Sequence, residues 1–149
     1  AQLGEDRLAA TFIPDGIHLP PHVLRALVRA KTPARSIIVT DAMAAAGAPP
    51  GRYTLAGQKL EVGPDRIVRQ PGQPNFAGSA LTMNNAVNFF SAFTGQSIPE
   101  SWIAGSTRAN DIIGHRAKTV VIVRQSREAV DPVALVRGRS VLWNGMKSR

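Results

Sequence analysis

Two short apolar runs flank an amphipathic stretch within the first 41 residues, and together they set the fold class. LAATFIP, at 8–14, reads as a buried strand that ends in a turn at Asp15-Gly16. Pro20 and Pro21 then open PHVLRALVRA, where Val23, Leu24, Leu27 and Val28 recur at helical spacing while Arg25 and Arg29 fall on another face. Lys31-Thr32-Pro33 stops that helix. A β-branched run from Ile37 to Thr40 follows, with Asp41 at its end. Strand, helix and strand over about 30 residues predict a βαβ unit whose two strands are parallel neighbours.

Downstream the pattern becomes mixed. Pro49-Pro50-Gly51 is a loop, and YTLAGQKLEV and DRIVRQ read as short antiparallel strands joined at Gly63-Pro64. QPGQPN is a second loop. Ser79 is placed to cap a helix from about Ala80 to Phe93 that buries Leu81, Val87, Phe90 and Phe93, with Gly95 ending it. Ser97-Ile98-Pro99-Glu100 has the form of a capping box, opening a helix from about Pro99 to Ile113 that Gly105 interrupts. KTVVIVRQ, PVALVRG and SVLWNG read as three closing strands. There is no internal repeat and no low-complexity tract.

Composition narrows the function. With 149 residues, 44% of them hydrophobic, the chain holds apolar material for one core. No apolar run approaches the ~20 residues that cross a bilayer, and no signal peptide is visible, so a cytoplasmic location is expected. The first residue is Ala rather than Met, which suggests processing or truncation. The absence of cysteine excludes disulfides, thiolate metal sites and a cysteine nucleophile, and three histidines supply a metal site poorly. The net charge of +8 points to anionic partners, but it is concentrated: nine of the Lys and Arg residues, against three acids, lie between Arg108 and Arg149. Alternation in VVIVRQ and LVRGRSVLW puts these arginines on the solvent side of strands. One Tyr and two Trp give little base-stacking surface, so nucleic acid is a weak alternative.

Reactive groups in α/β folds gather beyond the carboxyl ends of parallel strands. Asp15 and Asp41 sit there. Asp15 reads more simply as a turn-former, whereas Asp41 is balanced between structural and chemical roles. His18 lies on the loop after Gly16, His22 in a first helical turn, and His115 after a helix-ending glycine, where it can answer the helix dipole. Asn75-Phe76-Ala77-Gly78-Ser79 precedes a helix and offers backbone N–H groups to an anion or carbonyl oxygen.

The order and spacing of FIPDGIHLPP, IIVTDAMAAAGAPPGRYTLAGQ and FAGSALTMNNAVNFF resemble the C-terminal half of N-acetylglucosamine-6-phosphate deacetylases, members of the amidohydrolase superfamily. The resemblance covers roughly Leu8 to Gly105. It implies an α/β chain that is the C-terminal part of a metal-dependent TIM (β/α)₈ barrel, spanning 1–115, followed by a small β segment, 116–149. It implies amide hydrolysis of N-acetylglucosamine 6-phosphate to glucosamine 6-phosphate and acetate. Asp41 matches the family's catalytic aspartate, which takes a proton from the attacking water and returns one to the leaving amine. His18 matches a histidine that helps hold the sugar phosphate, and Phe76, Ala77 and Gly78 match a substrate-contacting stretch. The family more often has an aliphatic residue where Phe76 stands.

The complete family enzyme uses a divalent metal, zinc or similar, and its ligands lie upstream of the matching region, so no metal ligand is assigned in this chain. The implied partners are the sugar-phosphate substrate, a missing N-terminal half or complementary chain, and further copies in a homo-oligomer, with no membrane. The alternative is a non-catalytic remnant that binds a sugar phosphate or another subunit. A barrel cut open exposes strand edges and interior face, so LAATFI, SIIVT and Phe89-Phe90 are expected to meet water.

Overall fold

The computed structural model describes residues 2–126, 130–137 and 139–144, with the side chain of Trp143 excepted. Along the chain lie β1 (Ala10–Phe12), α1 (Pro21–Lys31), β2 (Ser36–Ile38), β3 (Gly51–Leu55), β4 (Gln58–Val62), β5 (Ile67–Arg69) and β6 (Phe76–Ser79). These are followed by α2 (Met83–Thr94), α3 (Ile98–Ala104), α4 (Thr107–Ile112), β7 (Thr119–Gln125), β8 (Val130–Arg137) and β9 (Ser140–Asn144). The described residues form an α/β structure with three sheets. β1 and β2 pair in parallel, β3-β4-β5-β6 form an antiparallel sheet, and β7-β8-β9 form another. Among the described residues no helix is long and apolar enough to cross a membrane.

The expected βαβ unit is present. Thr11 faces Ile37 across the parallel pair, and α1 starts with proline in its first turn, where the missing N–H is no loss. Leu24 and Val28 of α1 bury against Phe12, Ile38, Val87 and Phe90. The two phenylalanines and the aliphatic side chains form one contiguous core under the parallel pair. Lys31 is buried at the end of α1, and its ammonium donates to the carbonyls of Gln2 and Glu5, which pins the N-terminal turn to the helix.

Phe12, Ile37, Ile38 and Phe90 are buried, contrary to the expectation that these segments meet water. The helices cover the parallel pair themselves. Leu8 and Phe89 remain exposed, and Phe89 stacks on Phe93 at 5.6 Å.

The segment before α2 also departs from expectation. Ser79 does not cap a helix: Phe76–Ser79 is a strand, and α2 begins at Met83 with Thr82 in the cap position. The run of apolar side chains at helical spacing starts three residues before the helix because Ala80 and Leu81 bury in an extended lead-in. At the other end, Gly95 takes the left-handed conformation that closes the helix, its N–H bonding Ser91. The Ser97–Glu100 capping box is complete in both directions. The single interrupted helix expected over 99–113 is two short helices, α3 and α4, parted at Gly105-Ser106.

Candidate functional site

β1 and β2 run in parallel, so their carboxyl ends emerge on the same side, and the loops that follow carry Asp15, His18 and Asp41. The two loops are built differently.

After β1, Asp15 makes a side-chain turn. One carboxylate oxygen accepts the N–H groups of Ile17 and His18, each at 2.9 Å. The other lies 2.7 Å from His18 Nδ1. The Asp15 side chain is nearly buried and that of His18 is about a fifth exposed. A carboxylate accepts the Nδ1 proton in such a contact, which leaves Nε2 as the ring nitrogen that Asp15 does not engage. On the free side, the His18 ring meets the Phe76 ring edge-on at 5.0 Å.

After β2, the chain reaches Asp41 in the left-handed conformation, φ 51°. An aspartate adopts this region at lower cost than bulkier residues. Asp41 itself is exposed, but its backbone is not free. Its carbonyl accepts the Ser79 N–H at 2.8 Å, and Ser79 returns its own carbonyl to the Met43 N–H at 2.9 Å, an isolated parallel bridge centred on Ala42 and Ser79. Gly78, at φ 87°, lies where a Cβ would stand 3.2 Å from the Asp41 carbonyl oxygen. Only glycine gives both that dihedral and that approach.

β6 is therefore the element both loops share. Its first residue, Phe76, is exposed and touches His18. Its second, Ala77, packs beside the Met43, Ala45 and Leu60 cluster. Its third and fourth, Gly78 and Ser79, hold the backbone of Asp41. His18 and Phe76 are brought together, as are Asp41 and Gly78. His22 lies exposed on the first turn of α1 and His115 lies exposed beyond α4, both outside these contacts.

Three residues carry roles that their sequence context does not mark. Asp15, a strand-end candidate that reads most simply as a turn-former, makes that turn and is also the partner of His18; the Asp-Gly-Ile-His spacing is the only signal for the pair. Ser79 fits a helix-cap pattern and instead bonds the Asp41 turn. Arg66 sits at φ 62° and its guanidinium donates to the carbonyls of Ala48 at 2.9 Å and Ala80 at 3.3 Å, tying the loop after Asp41 to the end of β6. Nothing in DRIVRQ marks that role.

The surrounding surface is concave but open. A cavity of about 390 Å³ is lined by Gln58, Gln70, Gln73, Asn75 and Phe76, and another of about 470 Å³ by Asp15, Arg66, Asn85 and Phe89. A larger one, about 560 Å³, lies away from Asp41 and His18 between α2, α3 and β7. On the rim, the Ile67 N–H and then the Arg69 guanidinium hold the Asp65 carboxyl below the usual carboxylate range. Among the described residues, no group of three or more His, Cys, Asp or Glu side chains converges to hold a metal ion.

No family model matches the chain. The chain is 37% identical over 112 residues to the N-acetylglucosamine-6-phosphate deacetylase of Danio rerio, a match that covers 73% of this chain and 27% of the relative. It is 35% identical over 95 residues to a putative N-acetylgalactosamine-6-phosphate deacetylase of Escherichia coli, covering 64% of this chain and 55% of that one. The crystal structure of N-acetylglucosamine-6-phosphate deacetylase from Thermotoga maritima superposes with a TM-score of 0.80 at 25% identity, over 96% of this chain and 40% of the other. The enzyme from Pasteurella multocida shares the fold, with a TM-score of 0.75 at 22% identity. The chain spans about a quarter of the length of the first of these relatives.

Proposed function

We propose that this chain, a relative of N-acetylglucosamine-6-phosphate deacetylases that matches part of their length, is the C-terminal portion of a hydrolase that deacetylates an N-acetylhexosamine 6-phosphate. In this reading residues 1–115 are the last strands and helices of a (β/α)₈ barrel, and 116–149 belong to a small β domain. The observation that carries it is the convergence of Asp41, Gly78, Phe76 and His18 along β6, in a chain whose relatives bear that activity in their names.

Asp41 acts as general base and then general acid. A water oxygen attacks the acetamide carbonyl while the Asp41 carboxylate takes a proton from it. The C–N bond then breaks, and the proton passes to the departing amine. His18, its ring fixed by Asp15, presents Nε2 to the 6-phosphate. Phe76, Ala77 and Gly78 line the sugar. The family resemblance puts the ligands of a divalent metal upstream of the matching region, so this reading assigns no metal ligand to these residues.

The test compares acetate release by the complete enzyme with and without Asp41→Asn. The substitution keeps the left-handed backbone and removes the proton acceptor, so the rate falls by ~10²–10⁴-fold. Retention of more than about a tenth of the rate, on the same scale of expected loss, overturns the assignment. The 149-residue chain alone is expected to release no acetate.

A further inference from the structure

We infer that Ser79 is a positioning residue for Asp41; the inference rests on the reading of Asp41 as the proton-transferring carboxylate. Ser79 is 2% exposed, and its polar atoms are spent mainly on the turn that carries that aspartate. Its hydroxyl donates to the Thr40 carbonyl at 2.6 Å, its N–H to the Asp41 carbonyl at 2.8 Å, and its carbonyl accepts the Met43 N–H at 2.9 Å. The hydroxyl oxygen also accepts the Leu81 N–H at 3.0 Å, which turns the chain away from β6 toward α2.

Three backbone groups within four residues, Thr40 to Met43, thus end on one buried serine. The two backbone bonds are made by main-chain groups that Ala, Cys and Thr keep. The hydroxyl bond does not, and it is the one that grips the peptide immediately before Asp41. That peptide sets the φ of Asp41, the left-handed value from which the carboxylate projects. An ordinary extended backbone at this position would carry the side chain in a different direction. Proton transfer requires the carboxylate within hydrogen-bond reach of the water, and an error of ~1 Å in such a group costs up to ~100-fold in rate.

The test uses Ser79→Ala, Ser79→Cys and Ser79→Thr in the complete enzyme, each alone and with Asp41→Asn. Alanine and cysteine remove the strong hydroxyl bond, cysteine with little change in volume, while threonine keeps the oxygen. Ser79→Ala and Ser79→Cys are expected to lower kcat by ~10–100-fold with little change in KM, and Ser79→Thr to restore most of the rate. In the Asp41→Asn background the same substitutions cost nothing further, because the group they aim is gone. If Ser79→Ala fails to fold, Ser79→Cys set against Ser79→Thr carries the comparison.

A full rate in Ser79→Cys, or an equal loss in the presence and absence of the Asp41 carboxylate, overturns the inference while leaving the role of Asp41 standing. Full activity of Asp41→Asn alone removes the role of Asp41 itself.

Discussion

The parallel pair at the start of the chain and the antiparallel sheet at its end invert the usual relation between strand length and burial. β1 and β2 have three residues each, yet Phe12, Ser36, Ile37 and Ile38 are all buried. β7 and β8 have seven and eight residues and a nearly continuous ladder. Nevertheless Val120, Ile122, Val141 and Leu142 stand 64%, 48%, 60% and 51% exposed. Val120, Val136 and Val141 are register partners across the three strands, a β-branched row whose outer two members are exposed and whose middle one is half-buried. The difference lies in what covers each sheet. α1, α2 and α3 lie over the short pair. The long sheet touches α2 mainly near Val130 and Ala134, where the Val130 N–H bonds the Asn88 side chain at 2.9 Å. A ladder satisfies backbone groups, but burial of apolar area supplies the driving force.

That contrast is broken most directly by truncating one residue from each region. Phe90→Ala, on α2 at 1% exposure, empties the middle of the helix-covered core and is expected to cost about 3–5 kcal/mol. Val141→Thr keeps the β-branched shape on an exposed strand and should stay within about 0.5 kcal/mol. Urea titrations of the two variants decide the matter. Comparable losses would mean that the closing sheet contributes to the same cooperative core.

A second pair of substitutions probes the junction of the site. Gly78 and Gly57 have nearly the same dihedral, φ 87° and φ 80°, but only Gly78 has a neighbour within reach of a Cβ. Alanine at either position incurs the left-handed penalty of about 1–2 kcal/mol. Gly78→Ala additionally presses on the Asp41 carbonyl. The expected result is a larger loss at Gly78 than at Gly57, with the Asp41 amide shifted in the NMR spectrum of the first variant and not of the second. Equal losses would remove Gly78 from the support of Asp41.

The fold was legible in the sequence where local chemistry and tertiary packing agree. Pro20-Pro21, the helical spacing of Leu24 and Val28, and the β-branched run at Ile37 and Ile38 each point to the observed element. Gly95 and the Ser97–Glu100 box do the same for the helix boundaries. The reading failed at β6, because FAGS carries no β-branched residue and includes a glycine. That segment is a strand because the neighbouring β5 and the Asp41 turn, the latter remote in sequence, offer it hydrogen-bond partners. Ser79 before an apolar run fits the helix-cap pattern, yet its hydroxyl goes to Thr40 instead. Alternation in the closing strands predicts one buried face, and the exposure of both Val120 and Val121 shows that alternation states which residues share a face, not whether anything covers it. At the candidate site, Asp15 and Asp41 stand out by strand-end position and His18 only through the family resemblance, whereas the anchoring of Asp41 by Ser79 and of the neighbouring loop by Arg66 depends on contacts that no local pattern encodes.

A smaller effect separates helix termini in the covered region from the closing sheet. Ser97→Ala removes one half of the capping box and should cost about 1 kcal/mol, read in the same urea titration. In the folded chain the Ser97 hydroxyl and N–H hold the Glu100 carboxyl below its ordinary value, so the substitution should also bring its titration back up. An unmoved Glu100 would mean that the box does not persist in solution.

The smallest effect concerns the N-terminal turn that Lys31 pins over α1. The Arg7 guanidinium, then the Arg7 N–H, and to a lesser degree Lys31, lower the Glu5 carboxyl from an ordinary 4.5 to about 2. A carboxyl depressed in the folded state contributes stability that is fully present above its unfolded value. The contribution is lost as pH falls through the folded one. The window is therefore pH 4.5 down to about 2, and stability should decline across it. Glu5 titrates in water, so the decline is shallow and weakens in high salt. A carboxyl chemical-shift titration of wild type and Arg7→Ala isolates the cause. The midpoint should move up toward 4.5 when the guanidinium is removed. A midpoint that stays low in Arg7→Ala would take the depression away from the guanidinium and leave it with the backbone N–H of residue 7, which alanine keeps, and with the weaker pull of Lys31 at the end of the helix-covered core.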